Sequence, residues 1–309
     1  MIRLVTRRLF LSVPVFLGIS ILVFVLVQIS PGDPVAARLG PEYDPRIADL
    51  MRRELGLDRP IPVQYARWLA QAIQGDLGYS LYIGQPVATL IRERMPVTII
   101  LAALTMAISL LLAIPLGVVA AVRKDSALDN ISRLIAMVGI SMPVFWVGLV
   151  LIVLFAHYLQ WFPAGGTPRE FGLRALVLPA ISLGISFAAL ITRMTRSSMI
   201  DILAQDYIRT ARAKGLRPAV VNYRHALLNA ILPIVTLTGI QFGTLLGGAA
   251  LTETVFGLPG LGRLLIQGIE RRDYPLIQGA VLVVASTYVL ANLAVDLLYA
   301  WVDPRLRYA

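Results

Sequence analysis

Few side chains in this chain could carry covalent chemistry. Cysteine is absent, which excludes thiolate nucleophiles, disulfides and thiolate metal sites. Histidine occurs only at His157 and His225, so there is no HExxH zinc-hydrolase pattern. No G-x-x-x-x-G-K-[ST] occurs, nor even a Gly-Lys pair, and the chain therefore has no phosphate-cradling P-loop. What remains is electrostatic and positional. Two acids, Glu253 and Asp296, stand in apolar surroundings, where a carboxylate is costly and ordinarily faces a cavity or a partner. A basic stretch from Arg193 to Arg224 is interrupted only by the acids Asp201 and Asp206. Three glycines, Gly239, Gly243 and Gly247, recur at every fourth position.

The elements that must position these groups follow from composition. The 309 residues are 57% hydrophobic and only 15% charged, with a mean hydropathy of +0.75. Soluble domains carry about a quarter charged residues, so a water-facing surface cannot be built here. A soluble enzyme and a disordered chain are both excluded. A bilayer core about 30 Å thick takes roughly 20 apolar residues as a helix. The runs Leu9–Gly32, Val97–Val122, Leu134–Ala156, Ala175–Thr192, Ala226–Thr252 and Leu276–Val295 are each long enough. Lipid cannot satisfy backbone amides, so each run is expected to be a helix, giving an all-α polytopic membrane protein with six transmembrane helices. Pro115, Pro143, Pro179 and Pro233 are expected to mark kinks or helix entries. The first run exceeds a signal-peptide core and no AxA site follows it, so it is expected to stay as a span. The glycine triplet lies on one face of the fifth run. Small residues at that spacing let helices approach closely, inside the bundle or against a second membrane subunit.

Charge then sets orientation. The chain has 28 basic and 18 acidic residues, a net charge of +10. The N-terminal tail, residues 123–133, residues 193–224 and the C-terminal DPRLRYA together hold 15 of the basic residues. Their acids are Asp125, Asp129, Asp201, Asp206 and Asp303. The opposite side is near-neutral. The positive-inside bias places both termini in the cytoplasm. The basic excess is thus topology, and no nucleic acid is expected as a partner. A helix-turn-helix in residues 193–230 would need a free domain, whereas both ends of that loop run into spans. The same orientation puts His157 and His225 on opposite sides, leaving no Ser/His pair for an intramembrane enzyme.

Two segments lie outside the spans. In residues 33–96, helices are expected at Arg46–Leu55 and Pro62–Gln74, the second with Val63, Ala66, Leu69, Ala70 and Ile73 on one face. In the basic loop, Asp201 and Asp206 are expected at helix starts, favourable to the N-terminal dipole. Arg209, Arg212 and Lys214 fill a last turn, Gly215 follows in a left-handed conformation, and Pro218 comes soon after. This spacing predicts a short helix from Asp206 to Lys214, suited to docking on a cytoplasmic partner.

The loop resembles that of the membrane subunit of bacterial ABC importers, whose signature is EAA, three residues, Gly, nine residues, then I-x-L-P. The matching positions are Arg209, Thr210 and Ala211, then Gly215, then Ile231, Leu232 and Pro233. Here the acid-Ala-Ala is Arg-Thr-Ala and the Ile-to-Pro spacing is compressed. YIRTARAKGL at Tyr207 to Leu216 is similar to the dipeptide/oligopeptide/nickel branch of that family. So are ISPGDP from Ile29, LGLDRPIPVQYARWL from Leu55, GDLGYSL from Gly75, MPVFWVGL from Met142 and TVFGLPGLGRLL from Thr254. The PGDP and LGLDxP elements resemble the first, B-type, permease of a pair.

The resemblance implies an ABC type I importer permease fold in the bacterial cytoplasmic membrane. Residues 1–32 would form a tail and first helix, 33–96 an extracytoplasmic segment, and 97–309 a five-helix core with coupling loop 193–230. It also implies partners: a C-type permease as heterodimer, two cytoplasmic ATPases using ATP and Mg, and an extracytoplasmic substrate-binding protein. The chain itself would be neither an enzyme nor a cofactor or metal binder. Coupling to the ATPases would fall to Asp206, Tyr207, Arg209, Thr210, Ala211, Lys214, Gly215 and Leu216. Candidates to line a pathway are Phe145, Trp146 and Glu253, the last placed to attract the ammonium terminus of a peptide or to pair with Arg263. Asp296 reads as a helix-end residue. The rival reading, an ion-coupled secondary transporter, would need ionisable residues near the midplane and internal repeats, and neither is apparent.

Overall fold

The computed structural model describes residues 2–29, 34–39 and 44–302. They form helices α1 (Ile2–Ile29), α2 (Pro34–Leu39), α3 (Pro45–Leu55), α4 (Ile61–Ile73), α5 (Val87–Val122), α6 (Ala127–Ser141) and α7 (Val144–Leu151). The second half continues with α8 (Pro168–Phe171), α9 (Arg174–Leu203), α10 (Asp206–Ala213), α11 (Leu228–Gly248), α12 (Ala250–Val255), α13 (Leu261–Glu270) and α14 (Tyr274–Val302). The chain groups into two compact units. One holds Ile99–Leu258 with the described residues 291–302, the other the described residues of Ile2–Thr98 with Pro259–Leu290.

In the first unit α9 is central, packing against α6, α7, α11 and α12. Its sequence explains this. Ala175, Ala180, Ser182, Gly184, Ala188, Ala189 and Ser198 are all buried, and small side chains let neighbouring backbones come close where no water drives helices together. Ser109 on α5 donates to the Gly184 carbonyl at 3.1 Å. The tightest approach is at Gly117 of α5, where an added Cβ would lie 2.5 Å from Thr195 Cβ and 2.9 Å from the Thr192 carbonyl oxygen. Gly117→Val is therefore expected to force α5 from α9 and cost about 1–3 kcal/mol, as overpacking does. A lowered melting temperature of the purified protein is the readout; unchanged melting would show that the two helices separate freely.

Among the described residues five helices are long and apolar enough to cross a membrane, and six spans result if one bent pair counts as one. That pair corrects the expectation of a single helix at Leu134–Ala156. The run is split into α6 and α7, bent by 100° at the break. Met142, with φ −78° and ψ 130°, is extended, because the ring of Pro143 disfavours helical backbone in the preceding residue. Beyond Leu151 the helix is π-wound from Ile152 to Tyr158. Pro179 and Pro233, by contrast, sit inside α9 and α11 without ending them. The fifth run, Ala226–Thr252, is entered through a π-wound stretch at Val220–Leu227, continues as α11, and restarts as α12 after Ala249. Asp201 needs correction as well. It lies in the last turn of α9, not at a helix start, since α9 runs past the apolar stretch to Leu203.

In the second unit α4 lies against α1. Ser20 Oγ and Tyr65 Oη are 2.9 Å apart, Gln28 Nε2 donates to Gln64 Oε1 at 3.0 Å, and the Phe24 ring meets those of Tyr65 and Trp68. The face turned to α1 is thus the Gln64–Tyr65–Trp68 face. Val63 and Ile73, on the apolar face read from spacing, are exposed. Ring packing and the amide pair outweigh the small aliphatic stripe. A core of Leu77, Val87, Leu90, Ile91, Leu261, Leu264, Leu276 and Ala280 holds this unit. Buried Asp273 accepts from Ser80 Oγ at 2.5 Å and from the Tyr82 and Leu276 amides, tying the segment after α4 to the start of α14.

Candidate functional site

The basic loop becomes a compact module at one end of the first unit. After α9 ends at Leu203, the chain turns through Ala204 and Gln205, and Asp206 opens α10. Its carboxylate lies in the first turn, where the helix dipole favours it. Along α10 only Ile208 and Ala211 are buried, one turn apart on one face. They enter a cluster of Val118, Ala121, Met199, Val221, Ala226 and Ala230, drawn from α5, α9, the π-wound stretch and α11. One stripe anchors α10, while Asp206, Tyr207, Arg209, Thr210, Lys214 and Leu216 are exposed. The Asp206–Arg209 pair, at 3.5 Å, is solvent-exposed and contributes little.

α10 ends as a Schellman motif. The Gly215 amide donates to the Arg212 carbonyl at 2.9 Å and the Leu216 amide to that of Ala211 at 3.4 Å, the paired bonds that close a helix through a left-handed residue. Gly215 has φ 75°, and an added Cβ there would meet no atom within 4 Å. Only the backbone angle makes the position demand glycine.

Beside this module stands an ion pair that sequence reasoning missed. Asp129, 0% exposed, receives Arg196 Nε on one oxygen and Arg196 Nη2 on the other, each at 2.6 Å. The Asp125 amide donates to the same carboxylate at 2.9 Å, and Arg133 Nε is 3.8 Å away. The turn between α5 and α6 and the start of α6 are thereby locked to α9, two turns before its end at Leu203. Part of the signal was readable: Ser126 caps α6 and accepts the Asp129 amide at 3.4 Å, the Ser-x-x-acid pattern of a helix start. Arg196, far along the chain, carried no matching signal.

The pathway candidates fall elsewhere. Phe145 and Trp146, each 47% exposed, open α7. With Met137, Val138, Ser141, Met142 and Pro143 they line an apolar hollow of about 590 Å³. Glu253 lies on α12, which packs against α7, but is 0% exposed, so the structure does not bring it to the surface that Phe145 and Trp146 share. Gly239 and Gly243 are buried. The surroundings of Gly247 and of the Asp296 side chain lie outside the described residues.

These features can be set beside known proteins. Residues 113–308 match the family model described as "Binding-protein-dependent transport system inner membrane component", and residues 1–102 match its N-terminal companion. The dipeptide transport system permease protein DppB of Alkalihalophilus pseudofirmus is 42% identical, with 100% of both chains covered. The glutathione transport system permease protein GsiC of Escherichia coli O6:H1 is also 42% identical, again over 100% of each. The structure of an inward-facing MetNI methionine ABC transporter superposes with a TM-score of 0.57 at 20% identity, covering 69% of this chain and 96% of that one, which supports the fold. A multi-pass helical chain of this kind is the membrane permease subunit of an ATP-driven importer, and the secondary-transporter reading is set aside. The chain belongs to the family of binding-protein-dependent transport system inner membrane components, the permeases of ABC importers.

Proposed function

We propose that this subunit forms half of a pathway for short peptides and that α10 is the helix through which ATP hydrolysis drives it. The observation that carries the reading is the division of α10 into an anchored stripe, Ile208 and Ala211, and an exposed face of Tyr207, Arg209, Thr210, Lys214 and Leu216. A short helix rooted in three others transmits a push to all of them, while its exposed face is free for a partner. With no P-loop in the chain, ATP and Mg belong to two partner ATPases, and the subunit is non-catalytic. A C-type permease completes the heterodimer, and residues 33–96 receive the loaded binding protein. The peptide class is taken from the dipeptide and glutathione permeases that the chain resembles end to end. Phe145 and Trp146 contribute to the pathway surface; the burial of Glu253 favours a role in supporting its wall over direct contact. The buried Gly239 and Gly243 support packing of the glycine face within this chain.

Vesicles containing the complete transporter should take up labelled dipeptide only with ATP inside. Uptake that persists in ATP-depleted vesicles with an intact proton gradient would overturn the reading. Orientation is tested separately. Single cysteines at Gln74 and at Arg217, introduced into this cysteine-free chain, should label with an impermeant maleimide from opposite sides, Gln74 from outside. Labelling of both from one side would refute the proposed topology.

A further inference from the structure

A groove of about 460 Å³ runs between α6 and α9 beside Ala120 of α5. Its deeper wall is apolar, built from Ala120, Ala136, Met137 and Ile140, and its mouth carries Arg133, Arg193 and Arg196 with no acidic lining residue. The charges are not equivalent. Arg196 is occupied by both oxygens of Asp129. Arg133 is half exposed, donates from Nη2 to Asn130 Oδ1 and stands 3.8 Å from that same carboxylate. Arg193 is exposed and has no acidic partner among the described residues. The mouth is therefore net cationic, with three arginines against Asp129 and the nearby Asp125.

Their depth is informative. Arg133 directly precedes the apolar run at Leu134, and Arg193 directly follows the one ending at Thr192. Each arginine thus borders an apolar run, and the apolar wall begins one turn further along α6. A single cationic rim over an apolar slot matches an amphiphile with an anionic head and a hydrocarbon tail. Basic pockets between spans on the cytoplasmic side are suited to anionic phospholipid headgroups. We infer that this groove is a binding site for one anionic phospholipid of the inner leaflet, its phosphate held by Arg193 and Arg133 and an acyl chain laid along Ala136, Met137 and Ile140. The inference rests on the cytoplasmic placement of this loop proposed above. The lipid would fill the space between α6 and α9 next to the Asp129–Arg196 pair, making the stiffness of that junction sensitive to membrane composition.

The test uses the complete transporter in nanodiscs of phosphatidylcholine with one quarter phosphatidylglycerol, re-extracted in mild detergent, with the retained lipids quantified. Phosphatidylglycerol should be enriched over its bulk share. Arg193→Gln should lower the enrichment about fivefold, the contribution expected of one basic residue near an anionic surface. Arg193→Lys should preserve it, and Arg224→Gln, which removes an exposed charge from the same loop outside the groove, should leave it unchanged. A photo-crosslinker on Ile140→Cys, which lines the groove but not the hollow at Phe145 and Trp146, should capture lipid. Equal retention of the two lipids, or equal losses in Arg193→Gln and Arg224→Gln, would overturn the site. So would capture of the second permease or of added peptide substrate at Ile140→Cys. Because the maleimide labelling reports orientation independently, failure of the lipid site is distinguishable from failure of the topology.

Discussion

Replacing Gly215 by valine is expected to cut coupled substrate uptake about 5–150-fold while leaving the subunit inserted in the membrane. A Cβ at this position would stand in open space, with no atom within 4 Å beyond its chain neighbours, so the penalty arises only from the backbone. At φ 75° an L-residue is disfavoured by roughly 1–2 kcal/mol, and a β-branched one more so, too little to unfold the bundle. It is enough to break the two closing hydrogen bonds, to the Arg212 and Ala211 carbonyls, and to redirect the chain towards the π-wound stretch. ATP binding can move the permease only through a contact that differs in energy between the ATPase states. With coupling energies between sites of about 1–3 kcal/mol, loss of that contact corresponds to about a 5–150-fold fall in coupled uptake. Basal ATPase activity should lose its stimulation by loaded binding protein. Gly215→Asn, a residue that tolerates the left-handed region, should retain most of both activities. Paired uptake and ATPase assays in reconstituted vesicles check this. Normal stimulated uptake in Gly215→Val would move the docking contact elsewhere, with the turn around Lys124 to Ser132 the next candidate.

Arg196→Ala should give the largest loss of stability. It leaves the Asp129 carboxylate, 0% exposed, with the Asp125 amide as its nearest remaining donor and Arg133 at 3.8 Å. Removing one partner of a buried ion pair costs about 3–5 kcal/mol, because the other charge stays buried without compensation. The double variant Asp129→Ala with Arg196→Ala should be less damaged than Arg196→Ala alone, since no orphan charge remains. The pair lies in one network, so non-additivity is the signature sought. Thermal melting of the purified transporter, with size-exclusion profiles to follow assembly, measures both. If Arg196→Ala melted within a degree of the parent, the carboxylate would have found another partner and the lock between α6 and α9 would carry no energy. A second consequence is functional. With this tie lost, α6 should follow movements of α9 less closely, so uptake should fall further than melting alone accounts for.

Much of this protein was legible from one-dimensional pattern. Apolar runs separated by charge located the membrane segments, because a helix in lipid must satisfy its own backbone and expose little charge. The last turn of α10 was legible for a similarly local reason. Asp206 at the start, basic residues at the end and Gly215 beyond it are signals whose physics is complete within ten residues. Pro143 announced a discontinuity, but not its size: a 100° bend depends on what α6 and α7 each pack against, and α9 lies against both. The face of α4 turned to α1 was likewise settled by Phe24, Tyr65 and Trp68 meeting across the two helices, not by the aliphatic stripe that spacing suggested. The Asp129–Arg196 pair marks the limit most clearly. Either residue alone reads as one more charge in a cytoplasmic loop. Only the close approach of α5, α6 and α9, permitted by small residues such as Gly117, Gly139 and Gly184, brings them within 2.6 Å and closes the Asp129 carboxylate off from water. Local chemistry decided where helices begin and end; which charges become a buried lock depended on packing between segments distant in sequence.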